Sequence, residues 1–448
     1  MPSNVIPSGV VRPIPTGQVL FSTTDRRGII TGTNAQFAQI SGYESADLIG
    51  ELHNAVRHPE MPGGLFRMIW DRLESNRLVA AYIQNLAADG ASYWTFATIV
   101  PVGTDRFLSV RTEVSHPEHH AMIEQIYAKA RAAERKMTAG GMSVPDAAAE
   151  SSRVIEGLVT EQGYSSYDAL VADTLPAEIA LWAKAPRPPL PAAITREGHE
   201  IGRVLSASKV IDEEIEVIRA QLSDYLLLAH ELGEQSESLQ PAVGNLARVV
   251  AVAAQASEQV AGSAPVLVRA ASAAASLAQE VSVSLETLPG LLTAARADLL
   301  ALRQYLAVAV LHNAAAESFA IDIARGEAPG EAMASLGVLC EALENTVGHL
   351  DAEWANTGRI LLDVADTIER VGNQLADFQR MLLDWRNLVI RFRLSGALSS
   401  MLSDVDQQET RTRARVVAFR ALTEKCRGLV KPLPAARLHD SVAALKVS

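Results

Sequence analysis

Two apolar stripes at heptad spacing constrain this chain more than any other feature. Ile211, Ile215, Ile218, Leu222, Tyr225, Ala229 and Leu232 recur in alternating steps of four and three. The rhythm returns in Leu361, Val364, Ile368, Val371, Leu375, Phe378, Leu382, Trp385 and Val389. A mean step of 3.5 residues keeps one apolar side chain per turn on a single helix face, so each run buries its stripe only by lying as a long helix along others. Between the stripes, residues 249–311 are rich in alanine, which lets helix backbones approach closely. Glycine and proline at 262–265, 288–290 and 326–330 mark breaks. Residues 201–448 are therefore expected to form an elongated all-α bundle or coiled coil, and the heptads are the basis for expecting a homodimer.

The first 135 residues have a different texture. After a Pro/Gly-containing tail over 1–16, residues 17–120 hold nearly all the strand-like runs. Runs at 19–22 and 28–31 flank Thr24-Asp25-Arg26-Arg27 and read as a hairpin. Short helical stretches follow at 34–40 and 46–49. A longer one spans 64–76, with Leu65, Met68, Ile69, Arg72 and Leu73 at helical spacing. Strand-like runs then occupy 78–84, 92–101 and 107–114, with Asp89-Gly90 as a turn signal between the first two. This order predicts an α+β domain: a five-stranded antiparallel sheet with its helices on one side. Residues 121–200 read as a helical connector, with helices at 148–161 and 166–184 and a stiff Pro-rich linker at 186–191.

One stretch carries a specific signature. It reads N-A-Q-F-A-Q-I-S-G-Y from Asn34, L-I-G-E-L-H-N-A-V-R-H-P-E-M-P from Leu48, F-R-M-I-W from Phe66, and Q-N-L-A-A-D-G-A-S-Y-W-T-F-A from Gln84. Over roughly residues 19–112 the chain resembles the flavin-binding PAS domain of the aerotaxis receptor family, through its N-x-x-F-x-x-x-S-G-Y, H-N-x-V-R-H-P-D-M-P and D/N-G-x-x-Y-W-V segments. The resemblance implies FAD held non-covalently inside the domain. By position it implies a site made of Asn34, His53, Asn54, Arg57, His58, Glu60, Trp70, Asn85 and Trp94. In four places the chain departs from the family pattern. Glu60 replaces aspartate, Leu78-Val79-Ala80 replaces proline and tryptophan, Leu86 replaces arginine, and Ala88 replaces lysine.

These residue types suit such a ligand. A guanidinium meets a pyrophosphate in bidentate fashion. Asparagines such as Asn54 and Asn85 match the N–H and C=O edges of an isoalloxazine, and Trp70 stacks on a planar ring. Each also has a plain structural reading. Arg57 pairs with Glu51 or Glu60 at the surface, His53 and His58 cap helices, and Trp70 is core. Of Tyr93 and Trp94, adjacent on a strand, one faces the core whatever the ligand.

Other classes are disfavoured. A net charge of −12 argues against nucleic acid. The two cysteines, Cys340 and Cys426, form no metal-binding or disulfide framework and suit a reducing cytoplasm. No signal peptide is apparent, and no window reaches the roughly 20 apolar residues of a membrane span. No phosphate loop or nucleotide lid appears, so no enzyme is expected. His230, in L-A-H-E-L, reads as a surface histidine. His116, His119 and His120 read as a solvated helix start rather than a metal cluster. The stretch 310–317 with 324–327 is similar in composition to a chemoreceptor signalling tip, or is simply an alanine-rich helix ending at Gly326. The resulting expectation is a cytosolic, non-enzymatic redox or oxygen sensor that binds FAD and relays through helix packing to a protein partner such as a chemotaxis adaptor and kinase. The alternative is an interaction scaffold with a ligand-free PAS dimerisation module.

Overall fold

The computed structural model describes residues 5–185, 200–259, 261–262, 264–328, 332–394, 399–431, 433 and 435–445; the expected Pro-rich linker lies outside the described residues. The N-terminal domain opens with the hairpin β1 (Leu20–Asp25) and β2 (Ile30–Thr33). The Asp25 carboxylate closes it, accepting from the N–H groups of Ile29 and Arg27, each at 2.9 Å. These contacts hold the carboxyl below its ordinary range. Then come α1 (Ala35–Ser41), α2 (Ser45–Leu48), a 3-10 turn over His53–Val56, and α3 (Gly63–Glu74). The strands β3 (Val79–Leu86), β4 (Ser92–Val102) and β5 (Arg106–Thr112) complete an antiparallel sheet of order β2-β1-β5-β4-β3. The turn signal between β3 and β4 is realised, with Gly90 at φ +83°.

Strand alternation gives the sheet two distinct faces. Asn85 pairs with Tyr93, Ile83 with Thr95, and Arg111 lies between Ala97 and Leu20. That face meets α1–α3: Leu20 and Tyr93 share a core with Phe37, Ile40, Leu48 and Val56. The opposite face carries Phe21, Tyr82, Trp94 and Phe96 and is covered as well. Trp94 meets His120 of α4 (Pro117–Ala139) edge-on at 4.6 Å, and Phe21 meets Phe319 of α9 (Leu288–Arg325) at 4.8 Å.

The connector helices α5 (Val144–Glu161) and α6 (Tyr167–Trp182) appear where expected and pack onto the domain. At Gly64 the α3 backbone comes so close to α5 that a Cβ there would stand 2.4 Å from the Ser152 nitrogen. Glu134 of α4 accepts from the Gly63 N–H at 2.7 Å. Glu178 of α6 is fully buried and collects three donors: Tyr82 O–H (2.7 Å), Ser115 N–H (2.7 Å) and His116 N–H (3.0 Å). One carboxylate thus joins the sheet, the strand-to-α4 passage and α6.

The remaining helices are α7 (Glu200–Gln259), α8 (Pro265–Glu286), α9, α10 (Ala332–Arg391), α11 (Ser399–Leu429) and α12 (Ala435–Ala444). Packing does not divide the chain at residue 200. One unit comprises Met1–Ile218, Leu300–Asp351 and Pro434–Ser448; the other comprises Arg219–Leu299 and Ala352–Leu433. In the first unit Asn313 donates to the Ser208 carbonyl (2.9 Å) and to Asp212 (2.8 Å), and Arg437 pairs with Glu214 at 2.8 Å. In the second, Phe378, Leu382, Trp385 and Val389 share a core with Leu246, Val250, Leu267 and Val405, and the Trp385 N–H donates to Ser257 at 3.1 Å.

Two expectations change, and one open reading is decided. Every residue of both heptad stripes is buried within one chain, so the stripes form intramolecular core and supply no face for a second copy. The stretch 310–317 lies mid-helix in α9, which ends at Arg325 before Gly326 at φ +71°. That is a glycine C-cap, not the turn of a hairpin tip. Finally, Pro265–Arg325 does contain an 18-residue apolar window long enough to cross a membrane, and 83% of it is buried inside the protein.

Candidate functional site

The inner face of the sheet, beneath α1–α3, gathers polar atoms that the protein leaves unmatched. His53 Nδ1, the Tyr93 hydroxyl, Ser109 Oγ and Arg111 Nε are buried without hydrogen-bond partners. Arg111 projects inward from β5 because, at every second residue, it shares a face with Phe107 and Ser109. Its Nη1 donates to Ser22 at 3.0 Å, and its guanidinium lies over the Phe37 ring at 5.0 Å. Burial pushes its pKa down to about 10. Burial likewise lowers His53 to about 4, helped by the charges of Arg111 and Arg57, so this imidazole is neutral. Burial raises the Tyr93 phenol, against the pull of Arg111. A buried cation, a neutral imidazole and two hydroxyls on one surface have spare donors and acceptors for a polar planar guest.

Aromatic rings pack beside these groups. His53 contacts Phe66 at 6.5 Å and Trp70 at 5.5 Å, and Trp70 continues to Phe107 at 5.8 Å. The strands opposite carry small side chains: Ala81, Ala97, Ser22 and Ser109. The α3 stripe of Leu65, Met68, Ile69 and Leu73 is buried, which fixes how Phe66 and Trp70 are presented.

The nine residues expected from the sequence do not all converge here. His53 and Trp70 are in contact with each other, and Asn85 lies on the inner face of the sheet, donating to the Ile83 carbonyl and to Thr95, each at 3.2 Å. The Arg57 guanidinium stacks on Phe66 at 4.0 Å and donates to the Met61 carbonyl at 2.9 Å. Desolvation lowers Arg57 to about 10. His58 is buried, but its Nδ1 accepts from the Glu60 N–H at 3.2 Å, so that nitrogen holds the loop. Asn34 has both ends engaged. Its oxygen accepts from Phe21 (3.0 Å) and Phe37 (3.2 Å), and its amide donates to the Val19 carbonyl (2.7 Å). It caps α1 and pins it to β1.

Three residues point elsewhere. Asn54 is exposed, because the 3-10 turn buries Val56 and half-buries His53 and leaves the position between them in water. Glu60 is exposed and pairs with Arg135 of α4. Trp94, one residue from Tyr93, faces α4 on the other side of the sheet. Conversely, sequence reading passed over Arg111, Ser109, Ser22, Phe66 and Phe107. The alternation in R-F-L-S-V-R-T, which places Arg111 on the same face as Phe107, was the available signal.

Against this geometry stand the similarities to known proteins. The PAS fold family matches residues 30–110. Those residues form a PAS domain. The aerotaxis receptor of Escherichia coli (strain K12) is 33% identical over 156 residues, covering 34% of this chain and 28% of the receptor. The PAS domain is thus related to an aerotaxis receptor, and the matched stretch is little more than a quarter of that receptor's length. Two solved structures are also similar. One, from a study of a flavin analogue and the light-oxygen-voltage domain mechanism, is 19% identical, covers 24% of this chain and 86% of its own, and has a TM-score of 0.23. The other, a variant of Vivid, is 14% identical, covers 25% and 91% respectively, and has a TM-score of 0.20.

Proposed function

We propose that the PAS domain binds a flavin, FAD in the first instance, and that the chain is a cytosolic, non-enzymatic redox or oxygen sensor that signals to a protein partner of the chemotaxis adaptor and kinase class. The observation that carries this reading is the inward cluster of unmatched polar atoms around Arg111, walled by His53, Phe66, Trp70 and Phe107. The kinship of the domain to an aerotaxis receptor supports it. Bound flavin would supply reversible electron uptake. The protein would hold the ring between small strand residues and the α3 aromatics. Arg111 would donate to its polar edge, while Arg57 would meet the phosphates. A buried guanidinium next to a ring system favours the form carrying more negative charge. Hydrogen-bond changes on the inner face would reach the opposite face through β3 and β4. There Tyr82 and the passage into α4 are tied to Glu178, a contiguous path toward the helices.

The test is the absorbance of purified protein, before and after reconstitution with FAD. Flavin bands that disappear on Arg111→Ala and Arg57→Ala, with the far-UV dichroism unchanged, are the expected result. Protein that stays colourless after reconstitution would overturn the reading. That outcome would decide for a ligand-free interaction module, which the outward placement of Asn54, Glu60 and Trp94 favours.

A further inference from the structure

A cleft lies away from the inner face of the sheet, within the first packing unit. It is bounded by the segment entering β1, by α1, by Trp182 at the end of α6 and by the C-terminal half of α9, and it encloses about 160 Å³. A cavity of about that size holds a benzene-sized guest, so the space suits roughly six to ten non-hydrogen atoms. Val19, Ala314 and Ile321 give it an apolar wall.

Three of its lining residues carry buried polar atoms with no partner: Gln18 Oε1, Trp182 Nε1 and Asp322 Oδ2. Asp322 and Trp182 are 2% and 3% exposed. The other Asp322 oxygen accepts from Gln36 Nε2 at 3.1 Å, which fixes the carboxyl in place. Arg325, one turn further along α9, also lines the cleft. Unmatched buried polar groups are rare because each costs about 1–3 kcal/mol, and three on one small cleft call for a common guest. Two of the atoms are acceptors, one of them on a carboxyl group. The third is a donor, and a guanidinium stands nearby.

We infer that this cleft binds a small zwitterionic α-amino acid with a short apolar side chain, its ammonium on Asp322 and Gln18, its carboxylate on Trp182 Nε1 and Arg325, and its side chain against Val19 and Ile321. Burial, with the charge of Glu327, raises the Asp322 carboxyl to about 6 against the opposing pull of Gln36 and Arg325; an ammonium guest would add to that pull. Because the cleft joins β1 and α1 of the PAS domain to α6 and α9, its occupant would hold these elements together. The inference does not depend on flavin binding.

Isothermal titration of the full chain with L-leucine, isobutylamine and isovalerate tests it, with flavin absorbance recorded on the same samples. Saturable one-to-one binding of L-leucine is expected, at least tenfold tighter than either half-molecule. Asp322→Asn, which keeps the Gln36 contact and removes a buried acid, should fold as the parent does by far-UV dichroism and bind L-leucine at least tenfold more weakly. Trp182→Phe should also weaken binding. Absence of saturable L-leucine binding, unchanged affinity in Asp322→Asn, or isovalerate binding as tightly as L-leucine would each overturn the inference. Arg111→Ala, which removes the flavin in the reading above, should leave L-leucine binding intact, so the two sites fail separately.

Discussion

Replacing Gly64 by alanine is the sharpest probe of how the PAS domain is joined to its connector. The new methyl would stand 2.4 Å from the Ser152 nitrogen, 2.6 Å from the Ser151 carbonyl carbon and 2.8 Å from Ser151 Oγ. Ordinary contacts begin near 3.5 Å, so α3 and α5 must part by about 1 Å. Two of the three obstructing atoms are backbone and cannot rotate away. Overpacking of this kind costs about 1–3 kcal/mol, here at the upper end. Alanine in a helix returns up to about 1 kcal/mol relative to glycine, leaving a net loss of about 2 kcal/mol. Gly157 provides the control. It lies exposed in α5, and a Cβ there would meet nothing within 4 Å. Gly157→Ala should therefore gain about 0.5–1 kcal/mol. Urea unfolding followed by tryptophan fluorescence compares the two. Because α3 also carries Phe66 and Trp70, Gly64→Ala should loosen the flavin proposed above, whereas Gly157→Ala should not. If Gly64→Ala matched or exceeded the parent's stability, the close approach of α3 and α5 would be refuted.

Other consequences follow from burial. His53 and His312 are both lowered from 6.5 to about 4 by desolvation. The unfolded chain takes up their protons below pH 6.5 and the folded chain only near 4. Stability is therefore complete above about pH 6.5 and falls toward pH 4, by on the order of 3 kcal/mol per histidine; His312→Asn should flatten that slope in urea titrations at stepped pH. Tyr82→Phe removes one of the three bonds to Glu178, which should cost about 1.5–3 kcal/mol and speed hydrogen exchange at Ser115 and His116. Burial raises the Cys340 thiol to about 12 and Cys426 to about 11, so neither should react with a disulfide reagent at pH 8 until the chain is unfolded, when both should.

The legible parts of this protein are those governed by period and local chemistry. Heptad spacing alone named sixteen positions, from Ile211 to Val389, all of which are buried, because apolar residues on one helix face have to be covered by something. Alternation and turn residues placed the five strands, and Asp89-Gly90 placed the turn. What covers each surface was not local. Dimer and intramolecular bundle present the same heptads, and only the folded chain shows the stripes closed from within. The candidate site divides in the same way. The H-N-A-V-R-H-P motif located the loop, yet a residue's contribution depends on which way its turn and its face of the sheet point. So Asn54 lies in water, Glu60 reaches α4 and Trp94 sits behind the sheet. Arg111, more than fifty residues beyond the motif, becomes the central cation only because β5 pairs between β1 and β4. Gln18, Trp182 and Asp322 share a cleft for the same reason: contacts across more than a hundred residues are made by packing, and no periodicity along the chain records them.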